Sequence, residues 1–250
     1  AVWYVFQLDR AFNGISDRAF LESQFHKLLM NFTWWVNRKD QTGRNVFAGG
    51  FLGLDNIGVF DRSSPLPTGG TIEQADGTSW MAMFCLDMLT IALELALENQ
   101  VYEELACKFF EHFVYIAAAM DRIGDNADEL WDENDGFFYD VLRLPSGKAM
   151  RLKLRSLVGL IPLFASAIFE RDVLERLPAF AKRVAHFVEI NKSLFVNLND
   201  VTRPGVGGRH LLSLVNERKL RLILARMLDP CEFLSDYGIR ALSRHHASNP

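Results

Sequence analysis

The feature that most constrains this 250-residue chain is a helical period running through segments too apolar to stand at a surface. Residues 101–123 carry Leu105, Phe109, Phe113, Ile116 and Met120 on one stripe, and Phe110, Val114 and Ala117 widen it. A helix apolar over so much of its circumference must be covered on two sides. Residues 17–38 place Phe20, Gln24, Leu28, Phe32 and Trp35 on one face, and residues 78–97 place Trp80, Phe84, Met88, Ile91 and Leu95 likewise. Further on, 156–169 reads as a buried helix interrupted by Pro162, Asp172 with Glu175 as a capping box, and Pro178 as the first turn of a helix reaching residue 190. With the Leu-rich 209–228 and a last amphipathic stretch at 236–246, the period predicts about eight helices in antiparallel succession. Strand signals are confined to WDENDGFFYDVLRLPSGKAMRLK, where turns at Asn134-Asp135-Gly136 and Pro145-Ser146-Gly147 predict a small hairpin. The expectation is an all-α chain bearing that hairpin.

Composition narrows the function classes. Lys and Arg number 27 against 31 Asp and Glu, a net charge of −4 that offers no basic field to a phosphate backbone, so nucleic acid is not an expected partner. No unbroken apolar run reaches the roughly 18 residues a membrane span needs, and Phe109 to Met120 contains Glu111 and His112. No membrane partner is expected. Cys85, Cys107 and Cys231 lie far apart with no metal or disulfide spacing, which fits a reduced, cytoplasmic compartment. The excess of 20 Phe over 5 Tyr points to aromatic packing between helices.

Residues 39–77 break the regularity. They hold 8 of the chain's 17 Gly in 39 positions, where even spreading would put between two and three. Unstructured connections longer than about 15 residues are uncommon in compact domains and are usually functional or disordered. Disorder is disfavoured here, because Phe47, Phe51, Leu52, Leu54, Ile57, Val59 and Phe60 would each forfeit roughly 1.5–3 kcal/mol if left in water. The segment therefore reads as a folded active-site loop. Of its acids, Asp40 suits a turn, Asp61 an ion pair with Arg62, and Asp76 a helix cap. Asp55 differs, lying among Phe51, Leu52, Leu54 and Ile57. Burial raises a carboxyl pKa, and an acid kept protonated near neutral pH can act as a general acid. A structural Asp satisfied by loop amides fits the same surroundings. Glu73, Gln74 and Trp80 supply a carboxylate, an amide and an indole, which together suit a sugar's hydroxyls and its apolar face.

Other signals are weaker. His26, His112 and His186 stand singly in helices, and His245-His246 has no third ligand at metal spacing, so neither a metal nor a cofactor is expected. Arg203, Arg209, Arg218, Lys219, Arg221 and Arg226 read as a solvated basic face.

The runs NFTWWVNRKDQTGRNVFAGGFLGLDNIGVFDRS and GGTIEQADGTSWMAMFCLDML resemble bacterial members of glycoside hydrolase family 63, the group containing processing α-glucosidase I and related mannosylglycerate and glucosylglycerate hydrolases. The similarity continues through FFEHFVYIAAAM, LWDENDGFFYDVLRLPSG, RSLVGLIPLFA and FLSDYGIRALSRHH, nearly the whole chain. The resemblance implies a helical toroid, the (α/α)6 barrel, in which residues 1–250 form a partial catalytic domain and 39–77 its active-site loop. It assigns Asp55 of the GLDN motif as general acid, and Asn56, Gln74 and Trp80 as residues lining the sugar subsite. It implies an inverting hydrolase of small α-glucosides or α-mannosides, which needs a second carboxylate about 6.5–9.5 Å from the acid. In the family that base follows a W-R-G-P motif, within a segment of the F-Y-E-Y type, and neither motif occurs here. The chain is thus expected to be an inactive fragment. A non-catalytic toroid module binding a carbohydrate or a partner through the same loop is the alternative. The edges of an unclosed barrel would expose apolar helix faces and drive self-association. A clean monomer by light scattering, with no uptake of a dye for apolar surface, would count against that picture.

Overall fold

The computed structural model of the chain describes residues 1–37, 43, 45–47, 53–67, 69–121, 129–198 and 203–248. Asp40, Phe51 and Leu52 lie outside the described residues.

The helices are α1 (Val2–Asn13), α2 (Arg18–Val36), α3 (Ala75–Ala96), α4 (Val101–Met120), α5 (Arg171–Arg176), α6 (Pro178–Ile190) and α7 (Glu217–Met227). The two most apolar, α3 and α4, are joined by a short connection and pack along each other at the centre. α2 covers one flank. Its Phe25 meets Tyr102 and Phe109 edge-on at 5.5 and 6.0 Å, and its Phe32 meets Phe84 and Phe109 at 5.4 and 5.1 Å. α6 covers another flank of α4 through Phe187 against Phe110 at 5.9 Å. The Phe excess is therefore spent on interhelix contacts, where edge-to-face rings add to simple burial. On α2 the buried residues are Leu21, Phe25 and Phe32, with Leu28 and Trp35 packed against the core, so the expected stripe holds at 28, 32 and 35 and is offset by one position at 20 and 24. α3 is long and apolar enough to cross a membrane, a length hidden from a search for unbroken apolar runs by Asp87 and Glu94. Most of its apolar window is buried within this fold. α1 and α2 leave Tyr4, Phe12, Met30 and Trp34 exposed.

The all-α expectation is overturned, and no incomplete (α/α)6 barrel forms. Among the described residues the helices share the chain with nine short strands. β1 (Thr71–Glu73), β4 (Asp140–Arg143) and β5 (Ala149–Leu152) make a three-stranded antiparallel sheet, with Ile72 opposite Leu142 and Leu142 opposite Met150. β2 (Trp131–Asp132) pairs with β3 (Phe137–Phe138), β6 (Ser166–Phe169) with β7 (His210–Ser213), and β8 (Leu234–Ser235) with β9 (Gly238–Ile239). The fold is mixed α and β. Both anticipated turns are present, but the expected hairpin region carries strands of two sheets, and one of those sheets recruits β1 from the 39–77 segment.

Local chemistry explains the helices that failed to form. Over 156–169, Pro162 supplies no amide donor, and the chain makes two 3-10 turns, Leu157–Gly159 and Ile161–Phe164, before entering β6. Residues 209–228 begin as β7, and only after Asn216, whose side chain caps Lys219 N at 3.0 Å, do they become α7. At 236–246, Gly238 takes φ 120°, which a helix cannot use. Asp172 sits in the first turn of α5 rather than at its cap, and Glu175 pairs with Arg171 at 2.8 Å. Lys219, expected on a solvated face, is instead buried against Asp121 with its ammonium 4.9 Å from the centre of the Trp131 ring. Its burial lowers the ammonium pKa, which the Asp121 charge opposes.

The start of α3 is held from outside. Gln74 at its N-cap provides no side-chain cap, and the Asp140 carboxylate reaches over from β4 to accept from Ala75 N at 2.9 Å. Asp140 also ion-pairs with Arg62, its Oδ2 lying 2.8 Å from Nε.

Two outcomes are expected. A Cβ at Gly159 would overlap the Phe137 ring and the Phe138 carbonyl, so Gly159→Ala should cost about 1–3 kcal/mol in urea unfolding. An unchanged midpoint would refute that packing. For Asp140, burial first pushes the carboxyl up, against the pull of Arg62 and the Ala75 N–H, leaving its pKa at about 6 rather than 3.8. The native state therefore keeps this proton in a window where the unfolded chain has released it, and stability falls as pH rises from 4 to 6. Thermal melts of wild type minus Asp140→Asn should show that fall. A difference flat in pH would refute it.

Candidate functional site

The segment after Gly53 folds back on itself. Ile57 N donates to Leu54 O at 3.4 Å and Arg62 N to Asp55 O at 2.9 Å, so Asp55 begins a turn that Arg62 closes. Asp55 is half-buried, and its Oδ1 is buried with no hydrogen-bond partner among the described residues. Such atoms are rare in native proteins, and each needs an explanation. Asp55 and exposed Asn56 line a recess of about 400 Å³ with Gly53, Gly58, Val59 and Phe60. Asp61 and Ser63 complete its wall. The expected Asp61–Arg62 ion pair is replaced by a turn: the Asp61 carboxylate accepts from Ser63 N at 2.9 Å, Ser63 Oγ at 2.6 Å and Ser64 Oγ at 2.8 Å. Those bonds hold its pKa below the usual carboxylate value.

Arg62 turns inward instead. Its side chain is 3% exposed and lies between Asp76 in the first turn of α3 and Asp140 on β4. Nη1 bonds Asp76 Oδ2 at 3.0 Å and Nη2 bonds Asp76 Oδ1, a two-pronged grip that a planar guanidinium makes well. Nη1 also reaches Leu54 O at 3.1 Å. Asp76, read from sequence as a cap, thus serves chiefly as an anion for Arg62 while its Oδ1 also accepts from Gly77 N at 2.8 Å.

The remaining expected site residues are placed differently. Gln74 is 1% exposed and donates from Nε2 to Arg62 O at 2.9 Å, bracing the loop from beneath. Glu73 pairs with Arg143 across the β1–β4 ladder, with Nη2 to Oε2 at 2.9 Å. Trp80 is half-buried on α3 and does not line the recess with Asp55 and Asn56. Glu73, Gln74 and Trp80 therefore do not converge on one cleft with Asp55. Phe47 is fixed to α3 by Thr78 Oγ1, which accepts from Phe47 N at 3.0 Å.

Beyond the Gly58–Phe60 ridge lies a second hollow of about 400 Å³, floored by Arg62, Asp140 and Ser156 and rimmed by Lys153 and His246. Ser156 Oγ is buried without a hydrogen-bond partner among the described residues. Lys153 bridges Asp132 at 2.9 Å and Asp135 at 3.1 Å, and those bonds lower the two carboxylates against the opposing effect of burial. His246, expected in a polar tail, instead accepts from Arg155 N through Nε2 at 3.0 Å. Among the described residues no three His, Cys, Asp or Glu side chains converge as a metal site would require.

Sequence reasoning missed Arg62 as the centre of this arrangement. The one available signal was an arginine inside an apolar, Gly-rich segment with Asp76 fourteen positions on, while Asp140 is 78 positions away and carries no local mark.

No family profile matches the chain. It is 53% identical over 262 aligned positions to a Saccharomyces cerevisiae protein described as uncharacterized protein YMR196W, an alignment that takes in 100% of this chain and 24% of the yeast protein. The chain thus spans about a quarter of that curated relative's length.

Proposed function

We propose that this chain carries the acid half of an inverting glycoside hydrolase site acting on small α-glucosides or α-mannosides, with Asp55 as the general acid. The observation that carries the reading is the half-buried Asp55 carboxyl, which lines a recess open to a ligand and whose buried Oδ1 has no hydrogen-bond partner among the described residues. A glycosidic oxygen or sugar hydroxyl entering the recess would lie against the Asp55 side chain. Its position in the GLDN motif, the motif that resembles family 63, supports the same assignment.

In the proposed reaction the Asp55 carboxyl gives its proton to the departing glycosidic oxygen as the C1–O bond breaks. A water molecule adds to C1 from the opposite face, and its proton passes to a second carboxylate. The sugar is released with inverted anomeric configuration and Asp55 is left ionised. Asp61, the other acid lining the recess, accepts three hydrogen bonds from Ser63 and Ser64. The general base is taken to lie outside this chain, because the W-R-G-P and F-Y-E-Y motifs that carry it in the resembled family do not occur here. Asn56, exposed beside Asp55, is placed to bond a sugar hydroxyl.

The test is hydrolysis of α-glucosides and α-mannosides by the complete open reading frame, with the product anomer followed by proton NMR. Asp55→Asn should lower kcat by about 10²–10⁴-fold while the protein stays folded. An undiminished rate would remove Asp55 from the chemistry. Binding of these sugars without turnover would favour the non-catalytic carbohydrate-binding module.

A further inference from the structure

We propose that Arg62 is the positioning residue for Asp55: its guanidinium, clamped between Asp76 and Asp140, holds the Leu54 carbonyl while its own amide holds the Asp55 carbonyl, and together they set where the Asp55 carboxyl points. The inference rests on the reading of Asp55 as the acid.

Among the described residues no hydrogen bond holds the buried Oδ1 of Asp55 in place. Its direction must then come from the backbone. The two carbonyls flanking the Asp55 Cα, those of Leu54 and Asp55 itself, are both bonded by Arg62, through Nη1 at 3.1 Å and through its amide at 2.9 Å. The carbonyl of Arg62 is in turn held by Gln74 Nε2 at 2.9 Å. One residue thereby closes the turn from its own backbone and its own side chain at once.

The guanidinium is itself immobile. Besides the Leu54 bond it makes two to Asp76 and one to Asp140 Oδ1 at 3.3 Å, and Nε lies 2.8 Å from Asp140 Oδ2. Both terminal nitrogens bond acceptors, Nε stays close to Asp140 Oδ2 as an ion pair without hydrogen-bond geometry, and the guanidinium presents its donors in a rigid fork. A lysine ammonium has three donors from a single point, so it cannot serve Leu54, Asp76 and both Asp140 oxygens together. Both acids are anchored in turn, Asp76 by Gly77 N and Asp140 by Ala75 N. The chain of contacts runs without a gap from the first turn of the central helix to the carbonyls beside the acid. Displacements of about 1 Å at a reacting group can cost 10²-fold in rate, so a clamp at this point acts on turnover more than on substrate affinity.

The experiment uses the complete open reading frame and compares Arg62→Lys, Asp55→Asn and the double variant on two substrates. One is an α-glucoside with a poor leaving group. The other is α-glucosyl fluoride, whose leaving group departs with little protonation. Arg62→Lys should lower kcat about 100-fold on the first with KM little changed, and leave the fluoride near the wild-type rate. It should add no further loss to Asp55→Asn, because a misplaced acid and an absent acid are equivalent. Hydrogen exchange of the amides of residues 54–62 should be faster in Arg62→Lys. Should Arg62→Lys not fold, Asp140→Asn keeps an oxygen for Ala75 N while loosening the clamp, and the same pattern is expected on a smaller scale. Equal losses on both substrates, losses that multiply with those of Asp55→Asn, or unchanged exchange at 54–62 would each overturn the positioning role. A wild-type rate in Asp55→Asn on the poor leaving group would instead overturn the acid reading beneath it, and the two failures are distinguished by which single variant keeps its activity.

Discussion

A buried cation between two buried carboxylates organises this molecule around residue 62. Removing one partner of such a cluster typically costs about 3–5 kcal/mol, because the others are left charged and unpaired in the interior. That cost is what commits three distant pieces of chain to one place: the turn that begins at Asp55, the first turn of α3, and β4. The cluster also does the work of a helix cap, since α3 begins at a glutamine whose side chain makes no cap hydrogen bond and relies on Asp140 for Ala75 N. The buried centre of the fold and the candidate site therefore meet at the same few atoms.

Two kinds of packing surround that point. Phenylalanine edges join α2, α3, α4 and α6, where burial that scales with area is supplemented by edge-to-face ring geometry. Towards the C-terminal part of the chain the contacts become ionic: Arg155 meets Glu232 at 2.6 Å, Arg226 meets Glu232 at 2.9 Å, and Lys153 joins Asp132 to Asp135. The short strands lie among these charged groups, and their ladders satisfy backbone that the helices do not reach.

The parts of the fold legible in the sequence are those fixed by local rules. Helices α2, α3, α4 and α6 begin and end within a few residues of the expected bounds because periodicity and Pro178 act over a few neighbours. The turns at Asn134-Asp135-Gly136 and Pro145-Ser146-Gly147 were legible for the same reason. What escaped was decided at a distance. β6 and β7 read as helix because Leu and Ile suit either state, and only their mutual pairing, Ser166 opposite Ser213, makes them strands. The barrel expected from the family resemblance failed with them. At the site, Asp55 and Asn56 line one recess, whereas Gln74 and Glu73 were drawn into bonds with Arg62 and Arg143 that no spacing reveals.

The span of the Arg62 contacts has a consequence for the order in which the chain acquires structure. Its bond to Leu54 crosses eight positions and its bond to Asp76 fourteen, but the contact with Asp140 crosses 78. Closing the larger loop costs more chain entropy, and contacts of that separation form late relative to local ones. The turn at Asp55 can therefore be sketched early by its own neighbours, yet it is set in its final orientation only when β4 docks. A nascent chain released before residue 140 would hold the proposed acid and the arginine beside it, and lack the second jaw of the clamp.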